Sequence, residues 1–103
     1  MKIAYSKNNV PIRLTYERWV HIIEAHDDLA GYQNEVLSCI EEPDYIIAGY
    51  NKALIALKKI KEKKFLAVVY KEVSSIDGFI ITAYFTSKIK LEKQKILWNP
   101  KKQ

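Results

Sequence analysis

Two apolar runs joined by a short polar loop constrain this chain more than any other feature of it. Phe65–Val73 (FLAVVYKEV) and Phe79–Thr86 (FIITAYFT) are rich in β-branched and aromatic residues, and neither contains proline. Ser74-Ser75-Ile76-Asp77-Gly78 between them has the length and the closing glycine of a hairpin turn. Strict alternation puts Phe79, Ile81, Ala83 and Phe85 on one face of the second strand, which reads as core. Ile80, Thr82, Tyr84 and Thr86 fall on the other. A turn centred on Ser75–Ile76 sets Tyr70 opposite Thr82 and Val68 opposite Tyr84. Tyr70, Thr82 and Tyr84 then make a polar-aromatic patch. A half-exposed sheet face built from good strand formers would look the same, and a one-residue slip reverses the pattern.

The rest of the chain is laid against this pair. Lys2–Tyr5 reads as a short edge strand, Ser6–Asn9 as a turn, and Val10–Leu14 as extended, as Pro11 requires of its neighbour. Thr15 is placed to cap a helix from Tyr16 to Ala25 or His26, with Glu17 in its first turn. Trp19, Ile22, Ile23 and His26 form one stripe, so His26 continues the buried face at the C-terminal end. His21 lies on the far side with Glu17 and Glu24. After Asp27–Gly31, a second helix runs from Tyr32 to about Ile40 and stops at Glu41-Glu42-Pro43. Cys39 on it reads as packing. Strands follow at Asp44–Tyr50 and Ala53–Lys59, then the main hairpin. Ile96-Leu97-Trp98 either docks on the core or stays exposed for stacking, and Pro100–Gln103 reads as a frayed basic tail. Helices followed by a run of strands mean α+β: two N-terminal helices packed on a four-stranded antiparallel meander sheet. One domain is expected over 1–103, with its core at about 12–98.

Charge is distributed unevenly. Residues 1–51 carry four Lys/Arg and eight Asp/Glu, a net of −4, while residues 52–103 carry 13 Lys and four Asp/Glu, a net of +9. A basic sheet half suits a polyanion, RNA among them; solubility alone would also explain it. With Arg13 and Arg18 as the two arginines, extensive bidentate reading of base edges is disfavoured. No apolar run has the length of a membrane span or a signal peptide, and a single cysteine agrees with a reducing compartment, so a cytoplasmic location is expected.

Several chemistries have no footing here. There is no HExxH, CxxC, nucleophile elbow or glycine-rich phosphate loop, and no cofactor is implied. His21 and His26 stand about 140° apart around a helix, so they do not share a metal there. What remains is His26, hydroxyls and aromatics on a strand, and many lysines. That set supports metal-independent cleavage of RNA, whose 2′-OH is an internal nucleophile. It needs a base for its proton, donors for the phosphate and an acid for the leaving oxygen.

Four segments extend this reading: IRLTYERWVHIIEAH (Ile12–His26), EEPDYIIAG (Glu41–Gly49), KFLAVVYKEV (Lys64–Val73) and FIITAYFTS (Phe79–Ser87). In their order and spacing they resemble the small phage- and toxin-associated domains of the barnase–EndoU–colicin–RelE superfamily of ribonucleases. The most specific parts are Arg18-Trp19 followed by His26, Pro43-Asp44, and Thr82-Ala83-Tyr84. The resemblance implies a toxin-type, metal-independent endoribonuclease cleaving RNA through 2′-OH attack, with His26 as acid–base residue. It implies that Thr82 and Tyr84 bind or polarise the phosphate and stack on a base. Arg18 and some of Lys58, Lys71 and Lys88 would neutralise the backbone; the strand pattern, apart from the resemblance, adds Tyr70 as an expected substrate contact. The Asp-Asp that follows the helix-end histidine departs from the expected Pro or Glu. Two rival readings stand beside it: a non-catalytic RNA-binding module, and a protein-interaction domain whose basic half meets an acidic, antitoxin-like partner. The geometry also contains a tension. If the helix packs on the Phe79–Ile81 face, His26 has to reach round a strand to meet Thr82; if on the Thr82 face, the three meet directly.

Overall fold

Thr15 starts the first helix as its sequence position requires: its Oγ1 accepts the Arg18 N–H at 3.1 Å, and Glu17 sits in the first turn. This helix, α1 (Tyr16–Ala25), buries Trp19 and Ile22 and ends at His26, whose N–H donates to the Ile22 carbonyl at 2.8 Å. A single 3₁₀ turn (Asp27–Leu29) leads to α2 (Gln33–Glu41), which buries Val36, Cys39 and Ile40 and closes at Glu42, just before Pro43. Each fully buried aliphatic side chain on these stripes contributes about 1.5–3 kcal/mol. Cys39 is packing: its thiol points at the carbonyls of Ala56 and Leu66, and burial pushes its pKa up to about 12. The computed structural model of the protein describes residues 1–100, so the expectation for Lys101–Gln103 lies outside the described residues.

Among the described residues, seven strands make one sheet: β1 (Lys2–Tyr5), β2 (Pro11–Leu14), β3 (Tyr45–Ala48), β4 (Leu54–Lys61), β5 (Lys64–Ser74), β6 (Asp77–Thr86) and β7 (Ile96–Trp98), in the order β1-β2-β6-β5-β4-β3-β7. This corrects the expected four-stranded antiparallel meander. β3 to β6 do pair antiparallel in chain order, but the sheet continues past both ends of that run. β1 and β2 form an antiparallel pair, and β2 then joins β6 in parallel through two residue pairs, Ile12–Gly78 and Arg13–Phe79. β7 adds to the far side of β3. The sheet is therefore mixed. The turn between β1 and β2 reaches across to the opposite side, where the Lys7 ammonium lies 5.1 Å from the Trp98 ring centroid and 3.5 Å from a Glu42 carboxylate oxygen. Trp98 is thus docked and half-buried.

The main hairpin turns at Ser75–Ile76, as expected, and its strands extend to Ser74 and Asp77. Its register differs from the sequence reading. Val69 faces Thr82 and Ala67 faces Tyr84, while Tyr70 faces Ile80. Ile81 is an extra residue on β6, a β-bulge that inverts the alternation beyond it. Ile80 and Ala83 consequently share the helix side, buried with Leu66, Val68 and Tyr70 beneath Ile22, Val36 and Ile40. Thr82 and Tyr84 share the other side. There a second, smaller cluster forms from Ile47, Leu57, Phe65 and Ala67, and Tyr84, Ile89, Leu91 and Ile96 pack against it. Among the described residues, no helix is long and apolar enough to cross a membrane.

Candidate active site

β2 runs into α1 through Thr15 alone. Because β2 lies parallel to β6, α1 continues along the side of β6 that, among the described residues, no strand covers beyond Phe79. The far end of α1 arrives beside the far end of β6. His26, half-buried and out of the helical conformation (φ −138°, ψ 76°), brings its ring to 5.8 Å from that of Tyr84, tilted by 39°. The helices cover the face opposite Tyr84, so the two rings meet around the lateral edge of β6. Thr82 lies two residues back on the Tyr84 face, half-buried, about 7 Å along the strand.

Surrounding this contact is one end of the sheet. The β4–β5 turn contributes Lys61, Lys63 and Lys64, and the chain leaving β6 contributes Lys88 and Lys90. The Lys88 N–H donates to Thr86 Oγ1 at 3.1 Å, which fixes the direction in which the chain leaves the strand. Lys64 places its ammonium 5.1 Å from the Phe85 ring centroid, and Tyr32 meets the same ring edge-on at 5.4 Å. On the helix side, Asp28, Tyr32, Glu35 and Lys64 line a cavity of about 280 Å³.

The other residues singled out in the sequence do not all converge here. Tyr70 is 1% exposed in the helix-side core, where burial, and then Glu72, push its phenol pKa upward. It offers no ring to a substrate, which corrects the expected patch of Tyr70, Thr82 and Tyr84. Lys58 points to the helix side, donates to the Glu42 carbonyl at 3.1 Å and lies 3.7 Å from Asp44. It holds the end of α2. Lys71 faces Phe79, about 14 Å along β5 from the residue opposite Tyr84. Arg18 is exposed on α1, about 12 Å along the axis from His26. Lys59, Lys63, Lys64 and Lys90 were not distinguished from the other lysines by sequence. A tight turn gathers the charges of both strand ends, and the run Lys58–Lys64 straddles such a turn, so that signal was present.

Among the described residues, no three His, Cys, Asp or Glu side chains are grouped to hold a metal ion. An imidazole against a phenol at the rim of a cationic surface can move a proton and donate a hydrogen bond to an anion bound there. No family model, no curated protein and no solved structure matches this chain.

Proposed function

We propose that the chain is an endoribonuclease that cleaves RNA at the His26–Tyr84 contact. The observation that carries this reading is the convergence of two groups from opposite halves of the sequence at the edge of the lysine-rich sheet end. His26 takes the proton of a ribose 2′-OH, and the oxygen attacks the adjacent phosphorus. The bond to the 5′-oxygen breaks, and the Tyr84 phenol supplies the proton that this oxygen needs. The products are a 2′,3′-cyclic phosphate and a 5′-hydroxyl. Thr82 donates to a phosphate oxygen, and Lys88 offsets backbone charge. The reaction draws its nucleophile from the substrate, so DNA is not cut. A binding module without catalysis is the weaker reading, because Tyr70, one of the two rings it relies on, is in the core.

The test is incubation of the protein with mixed RNA in EDTA, alongside His26→Ala and Tyr84→Phe. Wild type is expected to leave cyclic-phosphate ends, and His26→Ala to lose roughly 10²–10⁴-fold in rate while keeping its circular dichroism. Equal cleavage by wild type and His26→Ala would remove the histidine from the mechanism. Intact RNA with folded wild type would end the reading.

A further inference from the structure

On the sheet face away from the helices, the segment after β6 folds back over the end of β4 and β5. It leaves a groove of about 400 Å³, within the range of about 300–1,000 Å³ typical of ligand pockets. Phe65, Ile89 and Leu91 give it apolar surface, and Lys59, Lys63 and Lys90 line it with ammonium groups. Glu62 and Glu92 line it as well, against the three lysines. The Lys59–Glu62 ion pair, at 3.8 Å, is mostly exposed and therefore weak, so a phosphate can displace the carboxylate. Tyr84 packs against the same cluster as Phe65, Ile89 and Leu91. The groove and Tyr84 therefore share one apolar cluster on this face of the sheet.

We propose that this groove is a second binding site, holding the single-stranded nucleotides that flank the cleaved bond of an RNA substrate. This rests on the reading of His26 and Tyr84 as the cleavage site. Charge complementarity argues for the occupant. Lysines outnumber carboxylates around an apolar floor, which is the combination that holds bases on one side and phosphates on the other. A duplex does not enter, because its bases are stacked and paired away from such a floor.

The experiment measures binding of fluorescent 2′-O-methyl oligonucleotides, which have no nucleophile, to the full chain across a salt series. Two lengths are used, a dinucleotide and an octanucleotide. The double variant Lys63→Gln/Lys90→Gln is compared with wild type and with Lys2→Gln, an exposed lysine on β1. The double variant is expected to bind the octanucleotide at least about tenfold more weakly, and the slope of log K against log salt to become shallower by about 1.4, two phosphates' worth. Dinucleotide binding and Lys2→Gln are expected to match wild type. Unchanged octanucleotide binding by the double variant would overturn the groove. So would an equal loss in Lys2→Gln, which would mean diffuse attraction only, or equal competition by polyglutamate, which would assign the groove to an acidic protein segment. Cleavage of unmodified RNA is scored separately. If it is absent while the double variant still weakens binding, the cleavage site fails and the groove stands as a single-strand site. If it is present while the variants bind alike, the groove fails alone.

Discussion

At Gly78 the backbone of β6 comes too close to its neighbours for a side chain. A Cβ built there would stand 2.6 Å from the Lys71 carbonyl oxygen and 2.6 Å from Ile12 Cδ1. One of these contacts is backbone, so relief requires the strands to part. Gly78→Ala is expected to cost about 1–3 kcal/mol in urea unfolding, because overpacking is not relieved by a rotamer change. The neighbouring pair, Arg13 and Asp77, joins the same two strands through two hydrogen bonds of 2.8 and 3.1 Å. The hydrogen bond from Arg13 holds the Asp77 carboxyl below its ordinary value of 3.8. A lowered carboxylate pKa stabilises the fold above the ordinary value, and that contribution is lost as pH falls through the lowered one. Wild type is therefore expected to exceed Asp77→Asn in urea midpoint near neutral pH, and the two to converge as pH falls below the ordinary carboxylate value. Neither role was visible in the sequence, where Gly78 marked only a turn. The half-buried place of His26 at the end of α1 was legible from the stripe through Trp19 and Ile22; the face of Tyr70 was not, because it depended on a register.

β6 shows why registers escape a sequence reading. Its C-terminal end and its turn follow from composition, yet the single extra residue Ile81 exchanges the faces of everything after it relative to Phe79 and Ile80. Nothing about an isoleucine among isoleucines announces a bulge. The bulge makes an unusual deletion tolerable. Without Ile81, Ile80 and Thr82 would follow one another with the pairs Tyr70–Ile80 and Val69–Thr82 both kept. Removing Ala83 instead would turn Tyr84 into the helix-side core and Phe85 out of it. The Ile81 deletion is expected to fold with a loss of about 1 kcal/mol, from its half-buried side chain. The Ala83 deletion is expected not to fold cooperatively. Thermal unfolding followed by circular dichroism separates them, and matching behaviour would contradict the bulge.

Across the whole molecule, the run of strands from β3 to β6 was legible because each neighbour in sequence is a neighbour in space. The parallel joint between β2 and β6 was not. It rests on two residue pairs between segments separated by both helices, with no local pattern to mark it. That joint nevertheless points α1 along β6 and delivers His26 to Tyr84. The charge asymmetry between the halves was legible, and so was the lysine run at the β4–β5 turn; that the chain after β6 brings further lysines to the same end was not. A different consequence follows from what stands at the two borders of the sheet. β1 has four residues and β7 has three, whereas the long apolar strand β5 lies between β4 and β6, and the edge of β6 left open beyond Phe79 has α1 alongside it. A border strand is where a second chain can be templated into a fibril, and short border strands template poorly. Of the most aggregation-prone hairpin in this sequence, β5 is thus kept from a growing end by its neighbouring strands and the open edge of β6 by the helix beside it.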